Sequence, residues 1–391
     1  MNKKISGIQA IQLPGSIFHL LYRYPVFFIL VFAGFFAMAC EGDYRRMAKG
    51  SLSEVIVVMD STRWNGPVGE VVREVFSHEM MTLPRPENRY DLRFMDLRTN
   101  RDLDFAKNHR NTIFVGPIDE DSNVGAFIRA VMSDEIQERI RDGRNFAFPL
   151  HDRWYRDQWT LFLSAESEEM LAQKIMQNRR SLLNQLDQIE RERWIREVYR
   201  RGEQKQLSEE MMERHGFQIR VQHDYRMGVD TTGFLTMRRF LPDNDRWIWI
   251  AYKEGFEGLG DINREWIHAV RDSLNRQYIR GTREESYVTT DHQRLIEMRD
   301  IQVNGRPALE LRGTWRMSGD AMGGPFLNYV IFDEHQDRIY LMEFGQFAPR
   351  YPKRRFLNQF EAIAHTFETD ESANQVSEAE ADPAHQAGEG R

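Results

Sequence analysis

The sequence is poor in cysteine, and this scarcity excludes several kinds of chemistry. Cys40 is the only cysteine among 391 residues, so internal disulfides and metal or iron–sulfur sites built from cysteines are excluded. The composition also lacks the biases of collagen, coiled coils and disordered chains, since 41% of the residues are hydrophobic and 29% are charged. The length is sufficient for two globular domains of roughly 150 residues each.

The standard catalytic and nucleotide-binding motifs are absent as well. The chain contains neither a Walker phosphate loop nor the G-x-S-x-G turn of serine hydrolases. His78 and Glu79 are not followed by the second histidine of a zinc-protease motif, and the 11 histidines are scattered. Glycines 255, 258 and 260 do not have the dinucleotide-binding spacing. We therefore expect no cofactor and no metal.

The chain has no basic region of the kind that nucleic acids require. The net charge is −7, of which residues 1–39 contribute +3 and residues 368–391 contribute −6. The body between them carries about −4, because −7 less +3 and less −6 leaves −4. Phosphate backbones are bound by clustered lysine and arginine. The charge distribution therefore argues against a nucleic-acid partner.

The N-terminus has the features of a secretory leader. Lys3, Lys4 and Arg23 precede the uncharged residues 26–40. Fifteen residues of helix span ~22 Å, which is shorter than the ~30 Å hydrocarbon core of a bilayer. A basic start, a short apolar run and small residues at the junction are typical of a signal peptide. We predict that residues 1–39 are removed.

The end of this leader, Ala37-Met38-Ala39-Cys40, resembles the lipobox of bacterial lipoproteins, although such boxes usually have leucine where this chain has Ala37. The resemblance implies cleavage before Cys40, acylation of its sulfur, and anchoring in a bacterial membrane, expected to be the outer one. The body would then lie in the periplasm or at the cell surface. An acylated Cys40 would leave the mature chain without a free thiol. The alternative is an uncleaved signal anchor with an incidental cysteine.

The order of helix and strand patterns predicts two folded domains. Residues 40–52 form a polar tether. Residues 53–205 alternate strands with helices, among them a helix over 124–141, and end in a long helix over 167–199, which is typical of an α/β domain with a mixed sheet. In residues 210–367 the pattern predicts antiparallel strands, the first over 217–223, with helices over 262–278 and 354–367, an α+β sandwich. Residues 368–391 carry almost no large apolar side chain and predict a disordered acidic tail.

Three segments are candidates for a binding surface. Asp60, Arg63 and Trp64 follow an apolar strand, and α/β folds bind ligands at the carboxyl ends of parallel strands. The alternative is that Asp60 caps the turn and Trp64 packs over the sheet. The triplet His109-Arg110-Asn111 precedes another strand and could relay protons or clamp an anion, or simply serve as a strand-entry turn.

The third candidate is Met322-Gly323-Gly324, a loop before a strand in which two glycines permit close approach by a partner. A tight structural turn is the alternative. The hydroxyl-rich residues 286–290 lack an adjacent base, so a serine-type nucleophile is not predicted there.

Several segments together are similar to an uncharacterised family of Bacteroidetes envelope lipoproteins, defined as a domain of unknown function. They are the lipobox, EVIVVMDSTRWNGPVGEVVREVF, the LPRPE run, HRNTIFVG, RGTWRMSGDAMGGPF and FAPRYPKRRFLNQFEAIAHTF. The resemblance spans residues 40–367 and implies a location, but no catalytic residue. The order of elements in residues 215–367 also resembles the Mog1/PsbP-type sandwich, a scaffold used largely for protein contacts.

Three functions follow as alternatives. The first is a non-enzymatic, lipid-anchored binding or assembly factor that meets envelope proteins. The second is a membrane-anchored hydrolase or glycan-modifying enzyme using carboxylates such as Asp60, because paired carboxylates leave no sequence motif. The third is a carrier of small apolar ligands between the two domains, which requires an apolar cavity of several hundred Å³.

Overall fold

Two sheets of different kind organise the chain. The computed structural model describes residues 44–241, 243–256, 258–260 and 262–370. Residues 44–47 belong to a separate N-terminal unit, and the compact unit described below begins at Ala48. The predicted signal peptide, Cys40 and the tail beyond residue 370 lie outside the described residues.

The first sheet is mixed and mostly parallel. Its strands are β1 (Glu54–Val58), β2 (Asp91–Met95), β3 (Asn111–Val115), β4 (Ala147–His151) and β5 (Trp159–Leu163). They lie in the order β2-β1-β3-β5-β4, and β4 is the antiparallel edge strand. The chain leaves β1 toward β2 on one side and later enters β3 on the other. A crevice is expected where the strand order diverges in this way, at the carboxyl ends of β1 and β3.

Helices cover both faces of this sheet. They are α1 (Ser61–Trp64), α2 (Pro67–Phe76), α3 (Asn100–Lys107), α4 (Asn123–Val131), α5 (Asp134–Arg141), α6 (Glu168–Gln177) and α7 (Arg179–Tyr199). Val55 and Val57 of β1 face the core beneath α2, α6 and α7, whereas Ile56 and Val58 face the core beneath α3, α4 and α5. Burial on both faces explains why β1 is an unbroken apolar run.

Two predicted helices are each divided in the structure. The helix predicted over 124–141 is broken after α4, where the Ser133 side chain accepts a hydrogen bond from the Ile136 amide and starts α5. The helix predicted over 167–199 is broken at Asn178, which ends α6 and precedes α7. Serine and asparagine side chains compete for backbone hydrogen bonds and therefore favour helix ends over helix interiors.

The second sheet has eight strands and is antiparallel. Its strands are β7 (Arg226–Thr231), β8 (Phe234–Arg239), β9 (Asp245–Glu254), β10 (Val288–Thr290), β11 (Glu297–Val303), β12 (Arg306–Met317), β13 (Gly323–Asp333) and β14 (Arg338–Phe347). The order is β10-β12-β13-β14-β9-β8-β7, with β11 pairing to β12. Three helices accompany it: α8 (Lys205–His215), α9 (Arg264–Tyr278) and α10 (Arg354–Ala364). The predicted combination of a mixed α/β sheet with an antiparallel α+β sheet is confirmed.

The two faces of the antiparallel sheet belong to different cores. Along β9, Trp247 and Trp249 pack on the side of α9, while Ile248 and Ile250 pack on the side of α10. This alternation is the period of two that a strand imposes on its side chains. On the second side α10 also packs against α7, so the helix that closes the first sheet contacts the helix that covers the second.

A buried ionic network lies at this contact between α7 and α10. Arg89 bonds to Asp187 of α7 and, through Nη1 at 3.2 Å, to Glu361 of α10. Arg312 of β12 lies 2.7 Å from Glu361 and also bonds to Glu310. Buried charges are costly unless they are paired. The arginines hold the pKa of Glu361 far below its ordinary range and lower the pKa of Glu310 to about 2.

Both ends of the folded body differ from the prediction. The structure corrects the inner end of the tether predicted over 40–52, since Ala48 is buried and Lys49 forms a parallel bridge with His109. The strand predicted over 217–223 is reduced to β6 (Phe217–Gln218). It pairs with β15 (Glu368–Thr369), which lies in the stretch predicted to be disordered. Backbone pairing offsets the ordering entropy there.

Candidate binding pocket

A mainly apolar space lies on the α9 side of the antiparallel sheet. It is a half-enclosed pocket of about 750 Å³, bordered by β8, β9, β12 and the residues that follow α9. Its apolar lining comes from Val229, Met237, Phe240, Leu241, Trp247, Tyr278, Ile279, Val288, Trp315, Met317, Met322 and Phe347. Ligand pockets in proteins usually measure ~300–1,000 Å³ and are mainly apolar with a few polar groups.

Two tryptophans form one wall of the pocket, and two glycines make room for them. The rings of Trp247 and Trp315 meet edge to face with centroids 5.3 Å apart. A Cβ at Gly345 would lie 2.2 Å from the Trp247 ring, and a Cβ at Gly324 would lie 2.0 Å from the carbonyl oxygen of Gln346. Any larger residue at either position would force the strands or the rings to move.

Polar and charged side chains also line the pocket, namely Thr236, Arg238, Asp243, Asn244, Asp245, Arg280 and Thr282. Arg238 and Asp245 form an ion pair there, and Trp315 Nε1 donates to the Gln346 carbonyl at 3.1 Å. Trp247 Nε1 is buried and has no hydrogen-bond partner among the described residues. Phe240 is 72% exposed and extends the apolar surface outwards from the pocket. The pocket can therefore accept an apolar molecule.

One of the three segments predicted from the sequence borders this pocket. Met322 lines it, while Gly323 and Gly324 begin β13. Gly324 is buried against β14 and Trp315, so it shapes the wall and does not itself present a binding surface. This pocket lies within the antiparallel half, and not between the two domains, where the carrier hypothesis expected its cavity.

Asp60, Arg63 and Trp64 lie at the carboxyl end of the parallel sheet. Asp60 accepts hydrogen bonds from the amide and hydroxyl of Thr62 and caps α1, which lowers the pKa of its carboxyl. Trp64 stacks on Phe94 with centroids 5.0 Å apart. Arg63 forms ion pairs with acidic residues of two neighbouring segments, Glu120 and Glu168. These side chains are largely engaged with one another.

A polar cleft of about 440 Å³ remains beside Asp60. Asp96 and Asp121, which follow β2 and β3, also line it, together with Arg98 and Ser122. The cleft thus occupies the position where the strand order diverges. No group of three or more histidine, cysteine or acidic side chains within residues 44–370, masked positions aside, is arranged to hold a metal ion.

His109, Arg110 and Asn111 lie at the opposite, amino end of the parallel sheet. His109 is buried and its Nδ1 bonds to the Phe105 carbonyl at 2.8 Å. Asn111 donates to Glu190 at 2.9 Å and accepts from Arg193 at 2.6 Å. Arg110 lies 3.5 Å from Asp157. The triplet is part of a buried network that ties α7 to the sheet, far along the strands from Asp60.

Sequence reasoning missed most of the pocket, although a signal for it exists. Trp247 and Trp249 alternate with isoleucines and so identify one apolar face of β9. The tyrosine that ends α9, Tyr278, stacks on Phe234 with centroids 4.0 Å apart. Which aromatic residues leave a space between them depends on strand order, which the sequence does not state. A second, polar pocket at the start of α9 was also missed.

Comparison with known proteins finds two family models that match the chain, one in each half. Residues 48–199 match the family model "Domain of unknown function (DUF8532)", and residues 204–366 match "Domain of unknown function (DUF4837)". This confirms the resemblance to proteins of unknown function. No curated protein matches the chain.

Among solved structures, the chain is similar to the Ran-binding protein Mog1p of Saccharomyces cerevisiae. The identity is 9% and the TM-score is 0.27, over 39% of this chain and 90% of that one. A mutant of the protein Mog1 matches at 8% identity and a TM-score of 0.26, with the same coverage. The fold assignment rests on the sheet topology described above.

Proposed function

We propose that this protein is a lipid-anchored binding protein of the bacterial envelope that takes a small apolar ligand into the pocket beside α9. The pocket of about 750 Å³ carries the proposal, since most of its apolar lining residues are aromatic residues and methionines. A ligand that filled it would bury apolar surface at roughly 25 cal/mol per Å². The function is non-enzymatic in this form, and contacts with envelope proteins would deliver or receive the ligand.

The side chains that line the pocket favour small apolar ligands of more than one shape. Met237, Met317 and Met322 approach the pocket from three different strands or loops. Methionine is unbranched and polarisable, so it adapts to ligands of different shapes. The aromatic rings of Trp247 and Trp315 add large flat surfaces. An acyl chain or a small aromatic molecule has the matching chemistry.

Dye displacement tests the pocket directly. Anilinonaphthalene sulfonate should bind the folded protein at neutral pH and be displaced by fatty acids. Met322→Trp, which fills the pocket, should weaken binding at least ~10-fold. Met81→Trp is the matched control, because Met81 is 53% exposed and does not line the pocket. Equal binding by both variants would contradict the proposal.

The proposed membrane anchor is supported by the sequence around Cys40, which lies outside the described residues. No helix in the described part of the chain is long and apolar enough to cross a bilayer. Two or more acyl chains at ~0.8 kcal/mol per buried methylene would hold the protein on a membrane. Mass spectrometry of the native protein should find an acylated N-terminal Cys40. Cys40→Ala should abolish both acylation and cleavage, so that the variant keeps its leader. A free thiol with an intact leader would refute the anchor.

The polar cleft supports a second candidate, hydrolysis by carboxylates. It brings Asp96 and Asp121 to the same cleft as Asp60. The lowered pKa of Asp60 keeps this carboxylate charged, which suits a nucleophile or base and not a proton donor. Envelope glycans incubated with the wild-type protein and with Asp60→Asn test this candidate. Cleavage by the wild type alone would favour it over the binding protein.

A further inference from the structure

A second pocket lies at the start of α9, at the opposite end of the helix from the apolar pocket. Its volume is about 550 Å³, and it is lined by Arg264, Glu265, His268, His292, Arg294, Leu295 and Ile296. Fifteen residues of α9 separate the two ends by ~22 Å. The two pockets are therefore distinct, and nothing argued below depends on the apolar ligand.

His268 lines this pocket and has an unsatisfied ring nitrogen. The side chain is 8% exposed, and its Nε2 has no hydrogen-bond partner among the residues that the structure describes. A buried polar atom that loses its hydrogen bond to water costs ~1–3 kcal/mol. Such an orphaned atom on the wall of a pocket is a place where a ligand can supply the missing partner.

The hydrogen bonds behind His268 determine which tautomer it adopts. The hydroxyl of Thr290 donates its single proton to Asp272 Oδ1 at 2.8 Å and accepts from Arg271 Nη1 at 2.6 Å. His268 Nδ1 lies 3.4 Å from the same hydroxyl oxygen. Because the hydroxyl proton is committed to Asp272, Nδ1 must be the donor in this last contact. Nε2 therefore carries the lone pair of a neutral imidazole.

The surroundings keep this imidazole neutral. Burial, followed by the charges of His292 and Arg271, lowers the pKa of His268 to about 4. Asp272 opposes this shift only in part. At neutral pH Nε2 can therefore accept a hydrogen bond but cannot donate one, so a ligand must bring the proton.

Two guanidinium groups at the rim favour an anion. Arg264 and Arg294 line the pocket, and Arg294 is held by the Pro84 carbonyl at 3.0 Å and by Asp291 at 3.5 Å. Guanidinium groups recognise phosphate oxygens through paired hydrogen bonds. Glu265 also lines the pocket, and its carboxylate would repel an anion that has no proton to donate in a hydrogen bond. The same arginines disfavour a metal cation.

One common chemical group satisfies both requirements. A hydrogen phosphate carries a hydroxyl that can donate to Nε2 and charged oxygens that can accept from arginine. Near pH 6 about half of a phosphomonoester is in this form, because its second pKa is ~6. Sulfate and carboxylate are fully deprotonated at this pH and lack the donor. We propose that the pocket at the start of α9 binds inorganic phosphate or a phosphomonoester through a P–OH···Nε2 hydrogen bond to His268.

Anion selectivity tests the proposal. Calorimetry at pH 6 should detect inorganic phosphate, whereas sulfate should bind at least ~10-fold more weakly. Equal affinity for the two anions, or no phosphate binding, would overturn it. Glycerol phosphate and vesicles containing phosphatidic acid then separate the sources. Binding of glycerol phosphate alone assigns a soluble ester, and binding of the vesicles as well assigns a lipid headgroup.

Variants locate the site. His268→Phe should abolish phosphate binding, and Arg264→Gln should weaken it several-fold. Arg98→Gln is the matched control, since Arg98 lines the other polar cleft, and it should bind phosphate as the wild type does. Loss of binding in Arg98→Gln with retention in His268→Phe would place the anion elsewhere and refute the proposal.

A measurement on the wild-type protein guards against misfolding of these variants. Nitrogen NMR of the histidine rings should show His268 Nε2 unprotonated at neutral pH without ligand. Its resonance should shift in the direction of hydrogen-bond acceptance when phosphate is added. A protonated Nε2, or a resonance indifferent to phosphate, would contradict the assignment.

Discussion

The candidate binding regions of the two sheets differ in how far the protein's own side chains fill them. At the carboxyl end of the parallel sheet Arg63 is paired with Glu120 and Glu168, and Asp60 is bonded to Thr62. On the α9 side of the antiparallel sheet, Trp247 and Trp315 leave a half-enclosed apolar space. The position at which α/β folds usually bind ligands is here largely occupied by the protein's own side chains. The larger pocket lies on the antiparallel sheet, whose topology does not predict a ligand site.

The contact between the halves should be the most sensitive point of the molecule. Glu361→Gln removes a carboxylate that contacts Arg89 at 3.2 Å and Arg312 at 2.7 Å and leaves both arginines buried without it. We expect the free energy of unfolding to fall by ~3–5 kcal/mol in urea titrations. The control is Glu138→Gln, whose partner Arg141 lies at the surface. It should cost ~0–1 kcal/mol. Similar losses for the two variants would show that the buried network is not what joins the halves.

The next largest effect is expected from acid, which should unfold the antiparallel half at a higher pH than the parallel half. The pKa of Glu310 is lowered to about 2 from 4.5, so the unfolded chain takes up this proton before the folded one does. Stability is therefore fully present above pH 4.5 and is lost as the pH falls toward 2. The pKa of His365 is lowered to about 4 by burial, and its contribution is lost between pH 6.5 and 4. Both acid-sensitive groups lie outside the strands of the parallel sheet. Glu310 is in β12, and His365 contacts Arg191 and Tyr329.

Hydrogen exchange measured from pH 7 down to 3 checks this order. Amides of β12 and β13 should lose protection at a higher pH than those of β3. Glu310→Gln should reduce the dependence of stability on pH below 4.5. Simultaneous loss of protection in both sheets would mean that acid unfolds the body as one unit.

Adding a side-chain atom to the glycines in the wall of the apolar pocket should destabilise the protein. Gly324→Ala places a Cβ 2.0 Å from the Gln346 carbonyl oxygen, so we expect a loss of ~1–3 kcal/mol of stability and weaker dye binding. Gly260→Ala is the control, because a Cβ there meets nothing within 4 Å. Thermal unfolding monitored by tryptophan fluorescence compares the two. An unchanged Gly324→Ala variant would show that the strands can separate locally.

The smallest effect is expected at the parallel sheet. Asp60→Ala removes the cap of the four-residue helix α1, which should cost ~1 kcal/mol of stability. Binding of the dye should stay unchanged, because Asp60 does not line the apolar pocket. Urea unfolding and dye titration of the same sample check both parts. A loss of dye binding would link the two sheets in a way that the static contacts do not.

Much of the fold was predictable from local pattern. The apolar runs of β1, β3 and β5 and the turn-bounded strands β13 and β14 follow directly from strand periodicity. Other elements were missed, among them α3 and α8, since their sequences are strongly polar and bury few residues. The short β15 could not be foreseen, because it exists only as the partner of β6.

The candidate sites were less predictable than the fold. Met322 was singled out and lines the apolar pocket, whereas Asp60 and His109 lie at opposite ends of the other sheet. His268 carried no sequence signal at all: its nearest histidine in the chain, His292, is 24 positions away, yet their ring centroids are 5.0 Å apart. The acylation of Cys40 remains a prediction.

The sequence by itself determined the class of the two sheets, since strands that alternate with helices predict an α/β sheet and strands joined by short turns predict antiparallel pairs. The predicted leader, the single cysteine and the charge balance likewise follow from the linear chain. Only the tertiary structure decided where space and unpaired groups remain. The apolar pocket and the unpartnered Nε2 of His268 depend on distances between residues that are far apart in the chain. Local sequence periodicity does not encode those distances.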